Sequence, residues 1–200
     1  MCLCCLDLNI VTCGSSIRLL NVDNSKYLHS HQVSWGSGSG QQSVTGHGGN
    51  DDRGSLWVIK EGFGKEFCET GTAIKCGSII RLEHLNTRKN IHSHLFKSML
   101  SGSQEVSCFG DNGVGDASDN WEVICPASFS TSSWKQGMQT TFKHVDTGKY
   151  LMTSNAHEFT QQNCGVQCPI IGQSEVSAAA GKITSKMQWV PSEGLYFLEK

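Results

Sequence analysis

Basic charge is scarce in this chain. Sixteen Lys and Arg stand against 18 Asp and Glu, for a net charge of −2. Nothing in that balance suggests the basic face or stripe of a nucleic-acid binder, so a nucleic-acid partner is not expected. No stretch approaches the roughly 20 apolar residues that a membrane helix needs, so no direct membrane span is expected. The glycine-rich runs Gly36–Gly40 and Asp111–Gly115 are not followed by Gly-Lys-Ser/Thr, which rules out a phosphate cradle of that type. A nucleophile elbow, a metal-binding helix motif and paired carboxylates in a catalytic context are also missing. No Asn-x-Ser/Thr acceptor occurs. The expectation is a protein that is not an enzyme and takes no cofactor.

What the chain does have is repetition, and a long-period repeat sets the architecture before any other signal. Ile17–His31 reads IRLLNVDNSKYLHSH, Ile80–His94 reads IRLEHLNTRKNIHSH, and Thr140–Ser154 reads TTFKHVDTGKYLMTS. The step is 63 residues and then 60. In each copy Asp23, Asn86 or Asp146 stands three places before Lys26, Lys89 or Lys149. Asp and Asn hydrogen-bond their own backbone and tolerate unusual dihedrals, so these are turns between two strands. Each copy continues to a third short strand (Gln41–Thr45, Gln104–Phe109, Ser174–Ser177) and then a fourth ending on Trp57, Trp121 or Trp189 and its neighbours.

Four strands in each of three units predict twelve, with 22 glycines and few prolines between them. Closure removes sheet edges that an open array would leave unpaired. The fold expected is all-β, a β-trefoil, with strands one and four of each unit in a barrel and two and three in a capping hairpin. The repeated aliphatics and tryptophans read as core. One domain is expected over residues 13–198, with repeats near 13–68, 76–125 and 135–198. Residues 1–12 form an N-terminal segment: a trimmed signal peptide, an added sequence or a native cysteine-rich start.

Ten cysteines is a high count for a reducing compartment. Cys13 and Cys76 each precede a repeat, and Cys68 and Cys125 follow the closing strands of the same two units. If the ends of a unit meet, Cys13–Cys68 and Cys76–Cys125 are natural bridges, although spacing does not determine connectivity. Cys164 and Cys168 either bridge the long third loop or stay free. Cys2-x-x-Cys5 has redox spacing but no strand–helix context, and Cys4 and Cys108 have no assigned role.

His29-x-His31 and His92-x-His94 each put two imidazoles on one face of a strand. The third unit offers Met152 and Ser154 there, so no three-fold metal site forms and no metal is expected. Asp51, Asp52, Asp116 and Asp119 read as solvated loop acids serving turns and caps. Sugar sites combine an aromatic platform with amides, acids or histidines. His29, His31, Trp35, Gln41 and Gln42 offer that set in unit one, and His92, His94, Gln104 and Glu105 in unit two.

Several of these stretches together resemble one family: VTCGSSIRLLN (Val11–Asn21), YLHSH (Tyr27–His31), WGSGSGQQSVTG (Trp35–Gly46), IKCGSIIRLEHLNT (Ile74–Thr87), NIHSH (Asn90–His94), LSGSQEVSCFG (Leu100–Gly110) and DNWEVIC (Asp119–Cys125). They are similar to the MIR-domain proteins of the stromal-cell-derived-factor-two type, over about Val11 to Leu198. The third unit departs most, with LMTS in place of LHSH. The resemblance implies a β-trefoil of three MIR repeats in the endoplasmic reticulum lumen. It implies a part in glycoprotein quality control and the unfolded-protein response, beside a J-domain co-chaperone and a BiP-type chaperone or client polypeptides. MIR domains also accompany protein O-mannosyltransferases, which makes a lectin-like module for mannose-type glycans the alternative. The family's usual C-terminal retrieval tetrapeptide is replaced by Phe197-Leu198-Glu199-Lys200.

Overall fold

A computed structural model describes residues 10–49, 52–127 and 133–200. Among them twelve strands form: β1 Ser16–Asn21, β2 Tyr27–Ser34, β3 Gln42–His47, β4 Trp57–Glu61, β5 Ile79–His84, β6 Lys89–Lys97, β7 Gln104–Phe109, β8 Trp121–Ile124, β9 Thr140–His144, β10 Tyr150–Glu158, β11 Ser174–Ala179 and β12 Gln188–Leu195. Helix is confined to three short 3₁₀ turns and one four-residue helix, α1 Gln161–Cys164. No helix among the described residues is long and apolar enough to cross a membrane.

The pairings close on themselves. β1 pairs β12 and β4, β12 pairs β9, β9 pairs β8, β8 pairs β5, and β5 returns to β4. The hairpins β2–β3, β6–β7 and β10–β11 stand beside this ring, and β3, β7 and β11 pair with one another in turn. The ring follows from alternation: Ile17 and Leu19 are wholly buried while Arg18 and Leu20 lie on the other face. Trp57, Trp121 and Trp189 fill the interior with no exposed surface. Each indole N–H donates to a hairpin carbonyl, of Leu28, Ile91 and Leu151, at 2.8, 3.2 and 3.0 Å. A buried tryptophan with its N–H satisfied combines a large apolar contribution with no polar penalty.

The turns share one backbone solution. The third turn residue is left-handed in every unit: Ser25 at φ 54°, Arg88 at 56° and Gly148 at 68°. Only the third unit places glycine there, where the conformation carries no Cβ cost. The segments leading into the units also interlock. Val11 N–H donates to Trp134, Trp134 N–H to Ile74, and Ile74 N–H to Val11, at 2.9, 2.8 and 3.0 Å.

Disulfides join Cys13 to Cys68 and Cys76 to Cys125, with Cα–Cα separations of 6.1 and 5.6 Å. A third joins Cys164 to Cys168 across four residues. Cys108 is a buried free thiol, and burial pushes it up to about 12, too high for a nucleophilic thiolate near neutrality. Cys2, Cys4 and Cys5 lie outside the described residues.

The hairpin arms run further than their sequence suggests, because each carries a bulge. Pairing slips between Ser30↔Val44 and Ser34↔Gln42, between Ser93↔Val106 and Lys97↔Gln104, and between Thr153↔Val176 and Glu158↔Ser174. The extra residues (His31–Val33 in β2, His94–Phe96 in β6) re-aim side chains at the rim of the ring.

A polar groove between the first and second units

A polar depression lies where the first hairpin meets the second unit. One half has a volume of about 470 Å³, walled by the end of β2, the start of β3 and the exit of β7 (Cys108–Asp111). The other half, about 310 Å³, is walled by His29–Gln32, by Asp52–Gly54, and by His84, Asn86 and Thr87. Gln32 and Thr87 line both halves, so the two form one groove.

Its wall is a set of oriented hydrogen bonds. Gln42, buried in β3, donates its Nε2 to Ser30 Oγ at 2.8 Å and to Thr87 Oγ1 at 2.9 Å. Thr87 meets His84 Nδ1 at 2.8 Å, and His84 Nε2 lies 3.0 Å from the Gly54 carbonyl. A carbonyl only accepts, so Nε2 carries the proton and Nδ1 accepts from the Thr87 hydroxyl. Burial holds His84 below the usual histidine range, consistent with this neutral form.

A second chain runs along β2. His29 Nδ1 faces the Asp52 carboxylate, and His29 Nε2 lies 2.8 Å from His31 Nδ1. Burial pushes His29 down to about 4 against the opposing pull of Asp52, so near neutrality the ring is uncharged. A neutral His29 donates Nδ1–H to Asp52 and accepts the His31 Nδ1–H. His31 is also held low by burial, and its buried Nε2 has no partner among the described residues. Burial alone would raise Asp52, but the Gly54 N–H, His29, His47 and Ser55 outweigh it and hold the carboxyl low.

Four of the residues singled out from sequence, His29, His31, Gln41 and Gln42, meet in this groove. Trp35 does not. It is 7% exposed, donates its indole N–H to Val106 O at 3.0 Å, and packs on Phe159 at 5.8 Å between ring centres. Its rim belongs to a separate cleft of about 220 Å³ shared with Met99, Cys164, Cys168 and Ile170.

The second-unit set is placed at matching positions and each member is hydrogen-bonded, while the buried Gln104 Oε1 has no partner among the described residues. His92 Nδ1 meets Asp119 at 2.9 Å, and His94 Nε2 meets Glu105 at 3.0 Å. Gln104 Nε2 donates to Ser93 Oγ and Thr147 Oγ1 at 2.7 and 3.1 Å. Glu105 also takes the Ser39 hydroxyl and N–H, and sits where Gly38, at φ 67°, leaves room that a Cβ would fill. Burial alone would raise Glu105, but His94 and Ser39 together hold it low.

The loop acids depart in part from their expected solvation. Asp116 and Asp52 do cap 3₁₀ turns, through Ser118 and Gly54 N–H. Asp119 is wholly buried, because Asn90 Nδ2, His92 and the Asp116 N–H converge on it and replace water. His92, Asp116 and Asp119 offer ligand atoms within 4.8 Å of one another, in a cluster whose side chains already bond one another and the turn backbone. Asp51 lies outside the described residues.

Gln32, Phe109, Lys89 and Asp111 were not among the site residues expected from the sequence. Lys89 donates to Gly110 O and Asp111 Oδ1 at 3.0 and 2.8 Å, and Phe109 is steadied by the His92 ring at 4.8 Å. The signal available was the Lys of each repeated turn, which also reads as a purely architectural mark.

A family profile described as the MIR domain matches residues 9–128, which spans the first two units. The stromal cell-derived factor 2-like protein of Dictyostelium discoideum is 47% identical, with 95% of this chain and 85% of that protein covered. The crystal structure of the SDF2-like protein from Arabidopsis thaliana superposes with a TM-score of 0.86 at 39% identity, covering 95% of this chain and 98% of that one. The protein O-mannosyltransferase Pmt1–Pmt2 complex of S. cerevisiae, bound to the sugar donor, gives a TM-score of 0.76 at 25% identity. That match covers 96% of this chain and 28% of that one.

Proposed function

The chain belongs to the stromal cell-derived factor 2 family of MIR-domain proteins, and from that premise we propose that it is a non-enzymatic binding module of protein quality control in the endoplasmic reticulum lumen. It acts there beside a J-domain co-chaperone and a BiP-type chaperone, holding these partners or client polypeptides. The observation that carries this reading is a family match extending over 95% of the chain. Three disulfides support an oxidising, secretory compartment. The six-strand ring with its three interpaired hairpins supports a β-trefoil of three MIR repeats, near 13–68, 76–125 and 135–198.

The full chain, immobilised and exposed to native lumenal extract, is expected to retain a J-domain protein and a BiP-type chaperone together. Recovery of neither, with the disulfides intact, overturns the assignment.

A second reading, a lectin-like module for mannose-type glycans, is favoured by the groove, whose rim is amide, hydroxyl and imidazole rather than one sign of charge.

A further inference from the structure

The three junctions between units use the same frame, which lets their rims be compared position by position. At the first junction Gln42 binds Ser30 and Thr87; at the second Gln104 binds Ser93 and Thr147. The bulge registers set Ser34 opposite Gln42 and Lys97 opposite Gln104. The hairpin contacts set Cys108 opposite Gln42 and Ala178 opposite Gln104. Gln32 therefore corresponds to Leu95, Phe109 to Ala179, and Asp111 to Gly181. At the third junction, Gly46 pairs with Ser174, so His47 and Gly49 stand at the places of Phe109 and Asp111.

Only the first junction thus combines an aromatic ring, an acid and a free amide. Its rim also holds unused hydrogen-bonding capacity. Gln32 and Ser34 make no side-chain hydrogen bond with the described residues. Gln41 accepts from Ser107 through Oε1 at 2.5 Å, which leaves its Nε2 to donate. Gln42 donates through Nε2, which leaves its oxygen to accept. Adjacent donor and acceptor amides match vicinal hydroxyls, each of which both gives and takes a hydrogen bond. In this half of the groove Lys89 is the only lining cation among the described residues, and it is held by Asp111 and the Gly110 carbonyl, so no unpaired positive charge awaits an anion there; Arg53 lines the other half. Asp111 keeps its second carboxylate oxygen open, and its side chain is 87% exposed.

We infer that the junction between the first and second units is a subsite for one neutral hexopyranoside. Phe109 lies under an apolar face of the sugar, Gln32, Gln41 and Gln42 bind neighbouring hydroxyls, and Asp111 accepts from a further hydroxyl. The corresponding junction between the second and third units takes none. This inference rests on the lectin-like reading and adds its location, its stoichiometry and the charge of its ligand.

The test is a titration of the isotope-labelled full chain with methyl α-mannopyranoside, followed by amide NMR. Saturable shifts are expected in the Gln32 and Gln41 side-chain amides and in the Gly40 and Gly110 backbone. Gln32→Leu and Asp111→Gly install the residues of the second junction on exposed positions. Each is expected to weaken binding by about tenfold while leaving the unfolding midpoint unchanged. Phe109→Ala should act in the same direction, and its midpoint shows whether it remains folded. Saturable binding that all three variants leave unaltered overturns this site and leaves the lectin-like reading standing. Tighter binding of mannose 6-phosphate than of the neutral mannoside overturns the neutral-ligand assignment. No saturable shift with α-mannoside, β-galactoside or β-glucoside overturns both the subsite and the lectin-like reading.

Discussion

The junction between units one and two and the junction between units two and three are built on the same latch and finished differently. Both have a glutamine bridging a serine and a threonine, with that threonine bound to a histidine tilted against a tryptophan. In both, that histidine's Nε2 lies about one hydrogen bond from the carbonyl of a 3₁₀ turn, Gly54 or Ser118, at 3.0 and 2.9 Å. The residues of the latch correspond one for one; at the rim, Gln32, Phe109 and Asp111 face Leu95, Ala179 and Gly181. The buried latch tolerates little change because each unpaired polar atom there costs about 1–3 kcal/mol. The rim is free to vary because water satisfies whatever is put there.

The hardest test of the shared frame is the buried indoles. Trp57→Ala and Trp121→Ala are each expected to cost about 3–5 kcal/mol in urea unfolding. A cost confined to one of them would end the equivalence of the two junctions. Next comes the acid that only the second unit buries. Asp119→Ala leaves Asn90 and His92 without their common acceptor and should cost about 2–3 kcal/mol. Ser55→Ala, at the matching place in the first unit, should cost under about 1 kcal/mol. Equal costs would show that burial of Asp119 is not what separates the units. The two latches themselves should respond alike, with Gln42→Ala and Gln104→Ala each losing about 1–2 kcal/mol. A loss at only one of them would break the correspondence on which the rim comparison stands.

The smallest effect expected is on acid sensitivity. Burial holds His29, His84 and His144 below the unfolded value of 6.5, so the unfolded chain takes up protons first. Stability is therefore complete above about pH 6.5 and falls as pH drops toward the folded values, about 4 for His29. At the equivalent place in the first unit Asn21 does the same work without a titrating group. Its Nδ2 donates to Lys186 O at 3.0 Å, and its Oδ1 accepts from the Asp23 N–H at 3.0 Å. His84→Asn with His144→Asn should keep the fold and reduce the loss of unfolding midpoint between pH 6.5 and 4.5. An unchanged pH profile would mean that these two histidines do not carry the sensitivity.

Much of the frame was legible because it is local. The Asx-x-x-Lys turn, the alternation in Ile17–Asn21 and the closing tryptophans each occupy a few consecutive residues and recur three times. The bridges Cys13–Cys68 and Cys76–Cys125 were legible too, since each closes one unit. Trp35 stayed open between a sugar platform and a core residue, because Phe159 and Ile170, which cover it, come over 120 residues later. Asp119 misled for the same reason: the partners that make its burial tolerable, Asn90 and His92, come from the hairpin before it.

The sequence by itself determined a strand–turn–strand pattern written three times, an all-β class, and the lack of a three-fold histidine set, since all of these are patterns of a few consecutive residues; it suggested two of the disulfides without fixing them. Only the tertiary structure decided which side chains share the groove. The groove has one wall from Gln32, Gln41 and Gln42 and another from Thr87, Lys89 and Phe109–Asp111. Neither wall is marked alone, because a hydrogen-bonding surface becomes a site only when chain closure brings its halves within reach of one molecule.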